Sequence, residues 1–118
     1  MAYPTHTAGR YTVITLNGEV DLHYSPVARK QILDLVNDRH DVLVDLTQVK
    51  YIDSSGLASL VEGYQLARRN KVEFGLAGVS DAALQVLQLT RLDKVFPVYG
   101  SIEEAAQAAG RRTSVDGG

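Results

Sequence analysis

Two hydrophobic rhythms alternate along this chain. Tyr11–Asn17 (Y-T-V-I-T-L-N) is rich in β-branched residues and partly alternates, which predicts a strand. Gly18 to Tyr24 turns the chain. Ser25 followed by Pro26 predicts a helix start, with a serine cap and a proline where its missing N–H costs nothing. Ala28, Ile32, Leu35 and Val36 continue at helical spacing. Asp41–Leu46 (D-V-L-V-D-L) is short and almost wholly apolar, the composition of a strand covered on both faces of a parallel sheet. Leu57, Leu60, Val61, Tyr64 and Ala67 then form one helical stripe, so a helix is predicted from Asp53 to about Arg69. Its other side carries Ala58, Glu62, Gln65 and Arg69 and is solvated or partner-facing.

The second half repeats the alternation. Lys71–Ala77 places Val72, Phe74 and Leu76 on one side of a strand. Ser80 caps a helix from Asp81 to about Thr90, with Ala83, Val86 and Leu87 inward. Val95–Tyr99 is expected as a short edge strand, because Pro97 does not suit a central one. Ser101-Ile102-Glu103-Glu104 has the spacing of a capping box and starts a last helix that runs to about Ala109, before Gly110. Strands and helices alternating at this spacing predict an α/β fold with short connections. The expected organisation is a flexible segment over 1–10, a single domain over 11–110 and a disordered tail over 111–118.

Composition narrows the chemistry. With 118 residues the chain is one domain, and its 45% hydrophobic content can fill a core. No cysteine is present, which removes disulfides, zinc-thiolate sites and thiol catalysis, and agrees with a cytoplasmic location. Residues 1–10 have no apolar core for a signal peptide, and no run is long enough to span a membrane. A net charge of −2 gives no basic surplus for nucleic acid, and Arg68-Arg69-Asn70-Lys71 fits a helix C-terminus that attracts cations. His6, His23 and His40 do not form a metal-ligand spacing, and neither G-x-x-x-x-G-K-[ST] nor G-x-G-x-x-G occurs, so no cofactor is expected.

The stretch Y-I-D-S-S-G-L at Tyr51–Leu57 lies where a strand pattern gives way to a helix pattern. It sets an acid, two hydroxyls and a glycine at a helix N-terminus, where backbone N–H groups lack intrahelical partners and negative charge is favoured. One of Ser54 and Ser55 can cap the helix, with Asp53 and Asp21 as a capping carboxylate and a turn acid. Gly56 has no side chain and would let a partner's backbone or a phosphate come close. His23, two residues after Asp21, can face the same surface.

D-S-S-G-L at Asp53–Leu57, with G-E-V-D at Gly18–Asp21, resembles the anti-sigma factor antagonist family, the stand-alone STAS domain of bacterial regulation. The resemblance spans roughly Tyr11 to Ala109. It implies an α/β fold with a STAS-type mixed β-sheet and helices packed mainly on one face. It also implies that Ser54, directly after the acid, is the phosphoacceptor for a partner serine kinase, with Ser55 the weaker candidate. Asp21, His23, Asp53, Ser54, Ser55 and Gly56 then form the partner-binding surface. The expected partners are an anti-sigma factor serine kinase and a resetting phosphatase, with no nucleic acid or membrane, and the chain itself is a monomer or weak dimer. By this resemblance the protein is no enzyme but a switch, which when unphosphorylated binds the kinase and releases a sigma factor. The same resemblance admits a STAS scaffold or regulatory subunit of a stress-signalling or transport complex without sigma-factor control.

Two enzymatic or signalling rivals fit less well. I-D-S-S-G lacks the first glycine of a G-x-S-x-G nucleophile elbow, and both His23 and His40 precede the serine. A phosphoryl-aspartate receiver wants paired acids after its first strand and a lysine ending a later one. Glu19 and Asp21 are not adjacent, and Lys94 precedes V-F-P-V.

Overall fold

The structure is a computed structural model that describes residues 2–109 in full and the backbone of residues 110–117. Near the N-terminus, β1 (Thr5–Ala8) turns at Gly9, which has φ +60°, and pairs antiparallel with β2 (Tyr11–Val20). The flexible segment expected over 1–10 is thus corrected. Thr5, His6 and Thr7 are exposed, so this strand is held by backbone pairing and leaves no apolar alternation to read. Ahead of it, the Tyr3 N–H donates to Gln31 Oε1 at 2.7 Å and the Gln31 amide donates back to the Tyr3 carbonyl at 3.0 Å.

The remaining strands are parallel. α1 (Ser25–Asn37) joins β2 to β3 (Asp41–Ile52), α2 (Ser54–Asn70) joins β3 to β4 (Phe74–Ala77), and α3 (Asp81–Leu89) with a short tight turn at Leu92–Lys94 leads to β5 (Val98–Tyr99). α4 (Ile102–Gly117) closes the described chain. The sheet has five strands in the order β1-β2-β3-β4-β5, so spatial order follows chain order.

The alternation of the strands divides the core in two. Ile14, Leu16, Val42, Val44, Leu46 and Leu76 face α1, α2 and α3, meeting Ile32, Val36, Leu57, Leu60, Ala67, Ala83 and Leu87 in the main core. Tyr11, Val13, Leu43 and Ala77 face the other way and are covered by Ala105 and Ala109 of α4. This is the mixed sheet with helices mainly on one face.

Several boundaries differ from expectation for identifiable reasons. β3 runs on past Leu46 to Ile52, with Val49 and Ile52 buried. β4 starts at Phe74 because Lys71 takes φ 60° to close α2, donating its N–H to the carbonyls of Ala67 and Arg68. Val95–Tyr99 pairs only at Val98–Tyr99, since Phe96 turns inward beside Tyr64, ring centroids 5.5 Å apart. α4 does not stop at Gly110. A glycine inside a helix costs only about 1 kcal/mol, and the backbone stays helical to Gly117, where a disordered tail over 111–118 was expected. The side chains of that tail, and residue 118, lie outside the described residues.

Candidate functional site

β2 and β3 end side by side, with Val20 opposite Ile52. Immediately after, Asp53 adopts an extended backbone (φ −109°, ψ −171°) and caps α2. Its Oδ1 accepts the Ser55 N–H at 2.9 Å, the Gly56 N–H at 3.2 Å and the Ser55 hydroxyl at 2.6 Å. Its main-chain carbonyl accepts the Leu57 N–H at 3.0 Å. The Ser55 hydroxyl bond holds this carboxyl below its ordinary value. Burial pushes the other way, and N–H groups of Gly56, Ser55 and Leu22 reinforce the lowering. The Asp53 N–H donates to the Val20 carbonyl at 3.4 Å and ties the end of β2 to the start of α2.

The cap is therefore the acid, not a serine. Ser54 and Ser55 are the first two residues of the helix. Ser55 is half-buried with its hydroxyl committed to Asp53, and its carbonyl accepts the Ser59 hydroxyl at 3.1 Å. Ser54 is exposed, and its hydroxyl has no hydrogen-bond partner among the described residues. The N–H groups expected to be open at this helix end are largely taken by Asp53, so little is left there to receive another anion.

Asp21 plays a matching part in the preceding turn. Its Oδ1 accepts the N–H groups of His23 at 3.0 Å and Tyr24 at 3.1 Å, and its carbonyl accepts the Ser25 N–H at 2.7 Å. Ser25 was expected to cap α1 but is its buried first residue, and the cap position belongs to Tyr24, whose side chain makes no cap bond. The His23 ring stands edge-on to Tyr24 with centroids 4.7 Å apart.

Asp21, His23 and Asp53 share a shallow depression with Leu22 and Tyr51, and Ser54 is exposed next to it in the chain. Gly56 does not join them. It is buried, and a Cβ there would lie 2.5 Å from the Val20 carbonyl oxygen and 2.7 Å from Ile52 Cγ1. The expectation that it lets a partner approach is corrected: its missing side chain lets α2 start hard against the strand ends. Leu22 and Tyr51, 76% and 52% exposed, are the surface residues that sequence reasoning missed. The available signal was Leu22 itself, a large apolar residue inside a turn. His6 and His40 lie elsewhere, on β1 and beside Thr12, and no group of three or more potential metal ligands exists among the described residues. No described helix is long and apolar enough to cross a membrane.

A model of the STAS domain matches residues 2–105. The chain belongs to the STAS domain family. This STAS domain is similar to the anti-sigma F factor antagonist of Paenibacillus polymyxa, 27% identical over 89 residues that cover 74% of this chain and 76% of that relative. It is also similar to a solved anti-sigma factor antagonist from Mycobacterium paratuberculosis, with a TM-score of 0.82 and 27% identity over 91% of this chain and 92% of that one. The Bacillus cell fate determinant SpoIIAA, in its phosphorylated form, shares the STAS fold with a TM-score of 0.71 and 21% identity, over 92% of this chain and 99% of that one.

Proposed function

We propose that this STAS domain is an anti-sigma factor antagonist whose partner surface is switched by phosphorylation of Ser54. The observation that carries the reading is the contrast between the two serines. Ser54 is exposed with an uncommitted hydroxyl, whereas Ser55 is half-buried and bonded to Asp53. Unphosphorylated, the domain binds an anti-sigma factor that is a serine kinase, and the sigma factor is released. The kinase supplies Mg²⁺, ATP and the base that takes the Ser54 proton. The γ-phosphoryl passes to Ser54 Oγ and ADP leaves. The STAS domain is then a substrate and a ligand, not an enzyme, and it works in the cytoplasm with a phosphatase to reset it.

Asp21 and Asp53 shape the surface through Oδ1 atoms that hold N–H groups, and the base is left to the kinase. Leu22 and Tyr51 supply apolar anchor area beside them. A phosphate on Ser54 adds roughly −1.5 to −2 charges next to two carboxylates. The reading is that this charge repels the partner and leaves the fold intact.

The test incubates the purified chain with an extract of its source organism, with and without ATP, and maps phosphate by mass spectrometry. ATP-dependent phosphate on Ser54, lost in Ser54→Ala, is the expected result. Ser54→Ala should still retain the kinase in a pull-down, and Ser54→Asp should bind it at least about tenfold more weakly. Phosphate on Ser55 instead, or Ser54→Asp binding as well as wild type, would overturn the reading.

A further inference from the structure

A cleft of about 410 Å³ opens near the end of β2, with neither Ser54 nor Asp53 in its lining. Its origin is the irregularity of that strand. The register against β3 shifts between Thr15 and Asn17 and again between Gly18 and Glu19. Gly18 has φ +67°, and the space where its Cβ would stand is empty to 4 Å. Ala2 and Tyr3, the strand residues Asn17, Gly18 and Glu19, and Tyr24 and Val27 near the start of α1 line it. The Tyr3 backbone is fixed by its two hydrogen bonds to Gln31. The volume falls within the range of roughly 300–1,000 Å³ typical of small-molecule sites.

The lining selects a class of ligand. It offers two phenol rings, an amide and a carboxylate, and no lysine, arginine or histidine. Glu19 has no ion-pair partner among the described residues, while Arg29 and Lys30 of α1 are engaged by Glu62 and Asp34. Burial, and next the Asp21 charge, keep the Tyr3 phenol protonated, so its ring remains a neutral aromatic face. An anion would meet Glu19 in the lining, and the Asp21 charge felt at Tyr3, with no cationic side chain among the described lining residues. A neutral apolar ligand would gain nothing from Glu19, which stays exposed to water. Aromatic faces and a carboxylate together attract an organic cation.

We propose that this cleft binds a small organic cation of the aryl- or alkyl-ammonium class, its charge on Glu19 and its carbon skeleton against Tyr3, Tyr24 and Val27. The occupant touches Tyr24, whose N–H is held by Asp21 and whose ring meets His23. The cleft thus adjoins the switch surface without sharing Ser54 or Asp53. The proposal is independent of whether Ser54 is phosphorylated.

The test is an amide NMR titration of the full chain with phenethylammonium and, separately, with the uncharged phenethyl alcohol. Saturable shifts centred on Tyr3, Gly18, Glu19 and Tyr24 are expected, with the ammonium binding at least about fivefold more tightly than the alcohol. Glu19 is exposed, so Glu19→Gln should keep the remaining spectrum and abolish that preference. Absence of saturable shifts at these residues, equal affinity for the two probes, or unchanged ammonium binding in Glu19→Gln would each overturn the proposal.

Discussion

Asp53 organises the site through a single oxygen that collects a hydroxyl and two N–H groups. Asp53→Ala should therefore cost about 1–2 kcal/mol, the usual range for losing a helix cap, read from urea unfolding. Ser54→Ala, at an exposed and uncommitted position, should stay within about 0.5 kcal/mol of wild type. The acid–base consequence has a definite sign. The carboxyl is held below its ordinary value in the folded protein, so its stabilisation is complete above the unfolded carboxylate range near about pH 4 and drains away as pH falls through the lower folded value. Asp53→Asn should flatten that part of the stability curve, checked by melting both proteins between about pH 6 and about pH 2. An equally steep acid loss in Asp53→Asn would show that other carboxylates carry it. The motif D-S-S-G-L was legible as an acid and two serines at a strand-to-helix junction. Which residue capped was not, because aspartate and serine serve almost equally as caps and the backbone approach decides between them. Gly56 was misread for a similar reason, since a glycine's spacing does not say which neighbour needs the room.

At the level of elements, buried stripes were readable and chain reversals were not. α1, α2 and α3 follow their apolar periodicity, and Ser80 caps α3 as expected, accepting the Ala83 N–H at 3.2 Å. β1 escaped notice because an edge strand can live on backbone pairing alone. The stops after the three helices were hidden for a different reason. Arg39, Lys71 and Arg91 take φ 67°, 60° and 61°, conformations usually signalled by glycine or asparagine. Lys71 therefore still looked like the first residue of a strand. This strain is testable. Lys71→Gly should raise stability by up to about 1 kcal/mol, because relief of the left-handed strain outweighs the added freedom of the unfolded chain. The measurement is the shift in denaturation midpoint at constant slope, and a lower midpoint would mean the lysine side chain holds the helix end in a way its geometry does not reveal.

Over the whole molecule the two sides of the sheet are protected unequally. One is sealed by three helices, whereas Tyr11, Val13, Leu43 and Ala77 rely on α4 and its small contact residues Ala105 and Ala109. A chain ending at residue 101 should therefore bind a hydrophobic dye and unfold at lower denaturant than the full chain. Unchanged dye binding would mean another segment takes over the cover. The alternating sequence announced the layered α/β architecture, but not that β2 sends Ile14 and Leu16 into one core and Tyr11 and Val13 into another. The size of the second core was not readable, since alanines on a short terminal helix look like solvent-facing filler until the sheet is placed beneath them.

The agreement between chain order and strand order has a consequence for biosynthesis. Each strand after the first finds its hydrogen-bonding neighbour already made, so the sheet can be laid down from one edge to the other as the polypeptide leaves the ribosome. The junction bearing Ser54 can form before β4 is translated. The back of the sheet stays uncovered until α4 emerges, so its docking, rather than the meeting of distant strands, is the step that seals the second core.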